Sequence, residues 1–208
     1  MTNMPDLEIV KNYFEKSVEA HGATPQGVDW NSEFSQEIRF EQLLKICDPT
    51  NPFSIVDYGC GYGAMADYLT KKGFKANYFG FDIVDKMLIS ARETHAGKSN
   101  RTFIEDRNFL PVCDYVVASG IFNYRANISF EDWTTYIIST FHQFNELSQK
   151  GFSSNFLTKN SDTDQMRADL YYADPCYLFD YCKRNFSKNV ALLHDYTIYD
   201  FTILVRKG

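Results

Sequence analysis

The chain has 208 residues, 44% of them hydrophobic, which predicts one globular domain. Its formal net charge of −6 at pH 7 argues against a nucleic-acid partner, because phosphate backbones are usually bound by basic surfaces. The N-terminal stretch MTNMPDLEIVKNYFEK lacks the apolar core of a secretion signal, and no run reaches the ~18 apolar residues of a membrane span, so we expect a cytoplasmic protein without a membrane partner.

The cysteines and histidines predict no special chemistry. The five cysteines include no CxxC pair, which is typical of reduced, structural thiols in an intracellular protein. The four histidines lie far apart in sequence and lack the spacing of metal ligands, so no metal site is predicted.

The first fifty residues predict two helices joined by a loop. Apolar residues recur at helical spacing over residues 6–20 and again over residues 34–46. The stretch between them, HGATPQGVDWNS, is polar and carries glycine and proline, and Asp48-Pro49 ends the second helix.

From residue 51 onward, short apolar runs alternate with helical patterns. Strands are predicted at 53–58, 76–82, 101–105, 113–119 and 152–158, and helices at 62–72, 84–94, 130–148 and 174–185. This alternation is typical of a parallel sheet covered on both faces. The last two apolar runs, NVALLHDY and DFTILVRK, are too close together for a helical crossover, so they are predicted to be antiparallel.

The stretch IVDYGCGYGAM, residues 55–65, places three glycines between a predicted strand and a predicted helix. Gly59, Gly61 and Gly63 allow backbone amides to face a ligand, with a helix N-terminus behind them. Gly59, Gly61 and Ala64 also satisfy the pattern G-x-G-x-x-G/A, so a dinucleotide site is an alternative, as is a tight turn without a ligand.

Two carboxylates accompany the glycine turn. Asp57 lies two residues before the first glycine, at the end of a predicted strand. Asp82 follows Gly63 by nineteen residues and ends the predicted strand in YFGFDI, where a carboxylate can accept both hydroxyls of a ribose. The alternative role for Asp82 is to cap the next helix, because aspartate is favoured at that position.

Taken together, these segments resemble the class I S-adenosylmethionine-dependent methyltransferases. VDYGCGYG resembles the first motif of the family, and YFGFDI, with Asp82 and Ile83, resembles the second, whose acidic end holds the ribose. TFIEDRNF resembles the third motif, where an acidic residue faces the adenine amine; Asp106, followed by Arg107, takes that place. DYVVASGIFN resembles the fourth, whose strand end, Ser119-Gly120, lies beside the methionine part of the cofactor.

The resemblance implies an α/β fold with a doubly wound, Rossmann-like sheet of seven mostly parallel strands and an antiparallel C-terminal strand pair. Residues 51–208 would form this core and residues 1–50 an N-terminal helical cover, within a single methyltransferase domain. The cofactor would be S-adenosyl-L-methionine. In the cover, Gln36 and Arg39 could hold its methionine carboxylate, Arg39 through its bidentate fork. Exposed helix positions are the alternative for both residues.

The acceptor side is predicted from position alone, because ligands of this fold bind beyond the carboxyl ends of the strands. The polar and aromatic segment NSDTDQMRADLYYADPCYLFDYC follows the fifth predicted strand. Substrate candidates are Tyr124, Arg125, Arg167, Tyr172 and Asp174, and catalytic candidates are Tyr171, Tyr172 and His194. Phe122, Tyr124 and Tyr171 could also attract the sulfonium by cation–π interaction. The alternatives are packed aromatic residues for the tyrosines and a turn-stabilising role for the histidine.

The resulting hypothesis is methyl transfer from S-adenosylmethionine to an oxygen or nitrogen of a small molecule, such as a sugar or a phosphorylated metabolite. The acidic charge, the lack of an appended recognition domain and the polar-aromatic segment favour a small acceptor. GIFNYR stands where many enzymes that methylate base amines carry an Asn-Pro-Pro-Tyr-like sequence. The alternatives are a protein or RNA methyltransferase, a non-catalytic S-adenosylmethionine-binding module and an NAD-dependent oxidoreductase.

Overall fold

The computed structural model describes residues 5–30 and 32–208. This part of the chain contains six α-helices and eight β-strands. The helices are α1 (Glu8–His21), α2 (Glu33–Leu44), α3 (Ala64–Lys71), α4 (Asp85–Thr94), α5 (Phe130–Leu147) and α6 (Pro175–Asn185). The strands are β1 (Phe53–Tyr58), β2 (Ala76–Phe81), β3 (Arg101–Ile104), β4 (Cys113–Ala118), β5 (Ser148–Thr158), β6 (Tyr172–Ala173), β7 (Asn189–Leu193) and β8 (Asp200–Arg206).

The strands form one mixed sheet in the order β3-β2-β1-β4-β5-β8-β7, with β6 paired to the end of β5. The first five strands are parallel, and β8 is antiparallel to both β5 and β7. This confirms the predicted, mostly parallel sheet with an antiparallel C-terminal pair. The described sheet has one strand more than the predicted seven, because Tyr172 and Ala173 pair in parallel with Leu157 and Thr158.

The sheet is buried on both faces, as a parallel sheet with crossover helices must be. Neighbouring residues of β1 show this directly: Val56 packs into one apolar cluster and Ile55 into the other. The cluster on the Val56 face is rich in aromatic side chains and contains many of the chain's 18 phenylalanines. Its fully buried aromatic members include Phe122, Trp133, Phe141, Phe144, Phe152, Phe156 and Phe201.

The strand order shows where along the sheet a ligand crevice is expected. From β1 the sheet extends to β2 on one side and to β4 on the other, so the chain leaves the ends of β1 and β4 in opposite directions. A crevice forms at such a switch point, beyond the carboxyl ends of the two strands. The glycine turn follows β1, and Ser119-Gly120 follows β4, so both lie at this edge.

The N-terminal helices pack against the sheet and its helices. Lys11 of α1 pairs with Asp85 of α4, with 3.1 Å between Nζ and Oδ2. Phe40, Leu43 and Leu44 of α2 are buried in the cluster on the Ile55 face. Within residues 5–30 and 32–208, no helix combines the length and the apolarity that crossing a bilayer requires.

Candidate functional site

A cavity lies where the carboxyl ends of β1, β2 and β4 meet the N-terminal helices. It holds about 930 Å³ of empty space, including space open to solvent, and we refer to it as the glycine-turn cavity. The sheet side contributes Asp57, Tyr58, Gly59, Cys60, Gly61, Tyr62, Phe81, Asp82, Ile83, Val84, Ser119, Gly120 and Ile121. The N-terminal region contributes Leu7, Val10, Phe14, Val28, Trp30, Gln36 and Phe40.

In the glycine turn, Gly59 and Gly61 line the cavity with backbone that carries no side chain. Gly59 and Gly63 have φ values of 83° and 87°, in the left-handed region that favours glycine. A Cβ on Gly59 would lie 2.1 Å from Cγ2 of Ile121, so packing also requires glycine there. The amides of all three glycines donate within the protein, to Phe81, Asp82 and Cys60, which corrects the expectation that these amides face a ligand. The turn instead permits close approach of a ligand to the backbone.

Asp82 fastens the glycine turn to the end of β2. One carboxylate oxygen accepts the Gly61 amide at 2.8 Å, and the other accepts the Val84 amide at 2.9 Å. Burial raises the pKa of Asp82, and these backbone amides oppose that rise. The N-cap of α4 is Val84, so capping of this helix does not account for Asp82. A carboxylate has about four lone-pair sites, so Asp82 can still accept hydroxyls from a ligand in the cavity.

Asp57 is the more deeply buried of the two carboxylates. It is 2% exposed and accepts a hydrogen bond of 2.7 Å from the hydroxyl of Tyr78. Burial raises the pKa of Asp57 to about 7, and the negative charge of Asp82 adds to the rise. A cation in the glycine-turn cavity would favour the ionised form of Asp57 and lower this pKa.

Ser119 provides an unpaired polar atom at the end of β4. Its Oγ is buried and has no hydrogen-bond partner among the described residues, although the residue lines the glycine-turn cavity. A buried hydroxyl without a partner costs free energy, so this atom is suited to a ligand. Gln36 and Ile83 line the same cavity, and Gln36 accepts a hydrogen bond of 3.1 Å from the hydroxyl of Tyr62.

Four residues predicted to contact the cofactor lie outside this lining. Gly63 packs under His95, and Asp106 caps a short 3-10 turn by accepting the Asn108 amide at 2.9 Å. Arg107 is exposed, although its charge acts on the hydroxyl of Tyr58, which lines the cavity. The assignment of Arg39 needs correction, because its fork is bonded to the buried carboxylate of Asp200 rather than open to a ligand.

A second cavity opens on the other side of the Ser119-Gly120 segment. It holds about 1640 Å³ of empty space, including space open to solvent, and it is bounded by the loop between β7 and β8, so we call it the hairpin cavity. Two predicted substrate residues line it: Tyr124, whose ring stacks on Tyr13 at 3.9 Å, and Arg167, which pairs with Asp169. The rest of the lining includes Asp29, Ser35, Arg39, Asn123, Leu157, Leu170, Tyr196, Thr197, Ile198, Tyr199 and Asp200.

Two predicted substrate residues have structural roles instead. The guanidinium of Arg125 donates to the carbonyls of Ile128, Ala168 and Leu170 at 2.5, 2.6 and 3.3 Å, which fixes the loop rather than a substrate. Asp174 caps α6 by accepting two backbone amides and pairs with Lys159. Both residues were predicted to bind substrate from their position in the chain alone. In the structure, backbone groups occupy the guanidinium of Arg125 and the carboxylate of Asp174.

Apart from Tyr124, the predicted catalytic and sulfonium-facing side chains line neither cavity. Tyr171 is buried, stacks on Phe130 and shares a hydrogen bond of 2.7 Å with Thr134. The hydroxyl of Tyr172 accepts the Arg167 amide at 2.9 Å. Phe122 is a fully buried core residue, and His194 is exposed after β7, with Phe201 as its ring neighbour. Tyr171 therefore matches the packing alternative given for the tyrosines, and none of these four side chains takes its expected place beside a cavity.

Sequence reasoning missed Trp30, Asn155 and Asp200, which are linked to one another through Arg39 and Gly120. Trp30 lies in a polar loop, and Asp200 begins an apolar strand, DFTILVRK. A large aromatic residue in a loop and an acid in a strand are the signals that could have singled them out. Within the described residues, no group of three or more His, Cys, Asp or Glu side chains could hold a metal ion.

Comparison with known sequences agrees with this architecture. The family model described as a methyltransferase domain matches residues 55–145. The Mycobacterium tuberculosis protein Rv1506c, provisionally named a methyltransferase, is 51% identical to this chain over 165 residues. That alignment covers 79% of this chain and 99% of the mycobacterial protein.

Solved structures show the same fold at low sequence identity. The N-methyltransferase NodS from Bradyrhizobium japonicum, in complex with S-adenosyl-L-homocysteine, is 12% identical with a TM-score of 0.63, over 94% of this chain and 97% of NodS. Human N-acetylserotonin methyltransferase, in complex with SAM, is 14% identical with a TM-score of 0.63, over 97% of this chain and 58% of the human chain. The motifs, the strand order and the mycobacterial relative together show that the chain belongs to the class I S-adenosylmethionine-dependent methyltransferases.

Proposed function

We propose that the glycine-turn cavity holds S-adenosylmethionine and that the hairpin cavity takes a neutral, hydroxylated small molecule, such as a sugar, which receives the methyl group. The observation that carries this proposal is the shared wall of the two cavities. Of the described residues, four line both: Phe14, Val28, Trp30 and Gly120. A donor on one side of this wall and an acceptor on the other would meet there.

The lining of the glycine-turn cavity fits the cofactor. Asp82 would accept the ribose hydroxyls, and Ser119 and Gln36 would meet the polar methionine end. Asp57 would offset the positive charge of the ligand, and the apolar side chains of Ile83, Val84 and Met87 would contact the adenine. When bound, S-adenosylmethionine supplies a methyl carbon activated by a sulfonium, and the acceptor atom must lie about 3–3.5 Å from that carbon.

The charges around the hairpin cavity favour a neutral acceptor. Its two lining arginines are already paired, Arg39 with Asp200 and Arg167 with Asp169. A phosphorylated acceptor would have to compete with these carboxylates for the guanidinium groups. Rings and hydroxyls from Tyr124, Tyr196, Thr197 and Tyr199 suit a hydroxylated ligand instead.

Asp29 is the group best placed to receive a proton from an acceptor hydroxyl. It lines the hairpin cavity next to Trp30, and its Oδ2 accepts the hydroxyl of Tyr13 at 2.7 Å. The other carboxylate of this cavity, Asp200, is fully buried and bonded to Arg39 and Asn155. We therefore propose Asp29 as general base in place of the tyrosines and the histidine suggested by the sequence.

A two-stage experiment tests the proposed function. Calorimetric titration should show binding of S-adenosylmethionine and S-adenosylhomocysteine but not of NAD. A mass-spectrometric screen with isotopically labelled S-adenosylmethionine should then compare neutral hydroxylated compounds with their phosphorylated counterparts and with RNA and protein acceptors. Methylation of neutral compounds supports the proposal. Methylation confined to phosphorylated, RNA or protein acceptors contradicts it.

Binding of S-adenosylmethionine is expected to release a proton from Asp57. Burial raises the pKa of Asp57 to about 7, and a bound cation should lower it. Below pH 7 binding must therefore expel a proton, so affinity falls by up to about tenfold per pH unit as the pH drops from 7 to 5. Calorimetry at pH 6 in buffers of different ionisation enthalpy would measure the released proton. The Asp57→Asn variant should show no such buffer dependence, and an equal dependence in both proteins would contradict the assignment.

A further inference from the structure

Trp30 occupies the wall between the glycine-turn cavity and the hairpin cavity. Its six-membered ring lies over Gly120, so that a Cβ on Gly120 would be 2.4 Å from two ring carbons. Gly120 also has a φ of 74°, so both its conformation and this contact require glycine. Phe14 and Val28, the other members of the wall, are apolar. The wall is therefore formed largely by hydrophobic side chains, with the indole as the largest of them.

A closed circuit of contacts holds the indole in this place. The guanidinium of Arg39 lies 4.0 Å from the centre of the Trp30 ring, a distance typical of cation–π interaction. Arg39 donates to both carboxylate oxygens of Asp200, at 2.9 and 2.6 Å. Asn155 donates to Asp200 at 2.6 Å and accepts the amide of Gly120 at 2.9 Å. The chain of contacts therefore starts at Arg39, which lies over the Trp30 ring, and ends at Gly120, which packs against the same ring.

This arrangement bears on which groups can pass between the two cavities. The members of the circuit satisfy one another, and Asp200 is fully buried, so the indole is fixed without any ligand. An acceptor in the hairpin cavity must approach the transferred group at this wall. The space beside the indole therefore limits the size of the group that a cofactor can present there.

We propose that Trp30 is the specificity-determining partition of the active site and that Arg39, Asp200 and Asn155 are positioning residues that hold it. The partition admits a methyl group on the cofactor sulfur and excludes larger alkyl groups. This inference rests on the proposed function, because it assigns the cofactor and the acceptor to the two cavities.

Binding of an enlarged cofactor tests the partition without any acceptor. S-adenosylethionine carries one additional methylene, and a tight apolar pocket discriminates against such a change by about 10–200-fold. Calorimetry on the wild-type protein should show that loss relative to S-adenosylmethionine. In the Trp30→Ala variant the two dissociation constants should agree to within about threefold, and Trp30→Phe should lie between. Ile9→Ala is the control: Ile9 is 39% exposed and lines neither cavity, so its truncation should leave the wild-type ratio.

The positioning role is tested by fluorescence. The chain has two tryptophans, so Trp133→Phe leaves Trp30 as the single reporter. In that background Asp200→Asn, or Arg39→Lys if the first variant fails to fold, should raise the acrylamide quenching constant of Trp30 at least twofold, because the indole loses its support. Unchanged quenching in a folded variant contradicts the positioning role.

The outcomes separate the two proposals. If the wild-type protein binds neither S-adenosylmethionine nor S-adenosylhomocysteine, the proposed function fails and the partition fails with it. If both bind but Trp30→Ala keeps the wild-type discrimination against S-adenosylethionine, the partition alone is overturned.

Discussion

Replacement of Asp82 by alanine is expected to weaken binding of S-adenosylhomocysteine by roughly 10²- to 10⁴-fold. Each hydrogen bond to a charged group contributes about 1.5–3 kcal/mol, so loss of two ribose hydrogen bonds costs about 3–6 kcal/mol, at 1.4 kcal/mol for each factor of ten. The change also removes the acceptor of the Gly61 and Val84 amides, which loosens the glycine turn against β2. Calorimetry, or competition with a fluorescent cofactor analogue, would measure the affinity.

Asp85 offers a matched control for this substitution. It lies three residues further along the chain, is 67% exposed at its side chain and pairs with Lys11 on the surface. Asp85→Ala removes the same charge near the same helix but no contact in the cavity, so it should leave the affinity within about twofold of wild type, as expected for a surface ion pair. Equal losses in the two variants would show that Asp82 acts through overall charge and not through the ribose.

Replacement of Arg39 by methionine is expected to destabilise the folded protein severely. The side chain of Asp200 is fully buried, and Arg39 bonds both of its oxygens. Removal of one partner of a buried ion pair costs about 3–5 kcal/mol, because the remaining charge stays buried without compensation. For a chain of this length that corresponds to a fall in melting temperature of about 6–20 °C, which thermal denaturation would measure.

Two further variants show whether the buried charge is the cause. Arg39→Met combined with Asp200→Asn removes the stranded carboxylate, so the double variant should be more stable than Arg39→Met alone. Arg184→Met breaks an exposed ion pair with Asp180 on α6 and should change the free energy of unfolding by less than about 1 kcal/mol. A double variant no more stable than the single one would exclude the uncompensated charge as the cause.

The sequence was sufficient for the parts of the molecule that depend on local pattern. The alternation of apolar runs and helical segments predicted the parallel sheet, and the short connection near the C-terminus predicted the antiparallel pair. Asp57 and Asp82 could be placed because each lies at the end of a strand, and strand ends meet at one edge of a parallel sheet. The glycine turn could be placed for the same reason, although the partners of its amides could not.

The sequence was not sufficient to predict the directions in which side chains point. Tyr171 and Arg125 lie at the predicted edge of the sheet, yet the first packs into the core and the second binds backbone carbonyls. Nearness to a site along the chain does not determine which way a side chain points, since packing against distant elements decides it. Arg39 failed as a cofactor ligand because its partner, Asp200, lies 161 residues away, a pairing that no local pattern reveals.

That same separation affects the order in which the enzyme becomes complete. Contacts between residues far apart in sequence require loop closure before they contribute, which slows folding. Asp200 is the last residue in the chain to line either cavity, so its bond to Arg39 can form only after the other lining residues have been synthesised. The bond between Arg39 and Asp200 is therefore among the last contacts of the site to form. If Trp30 acts as the proposed partition, opening of β8 would break the bond between Asp200 and Arg39 and remove the support of the indole. Because β8 is a buried inner strand paired with both β5 and β7, such opening should require most of the free energy of global unfolding.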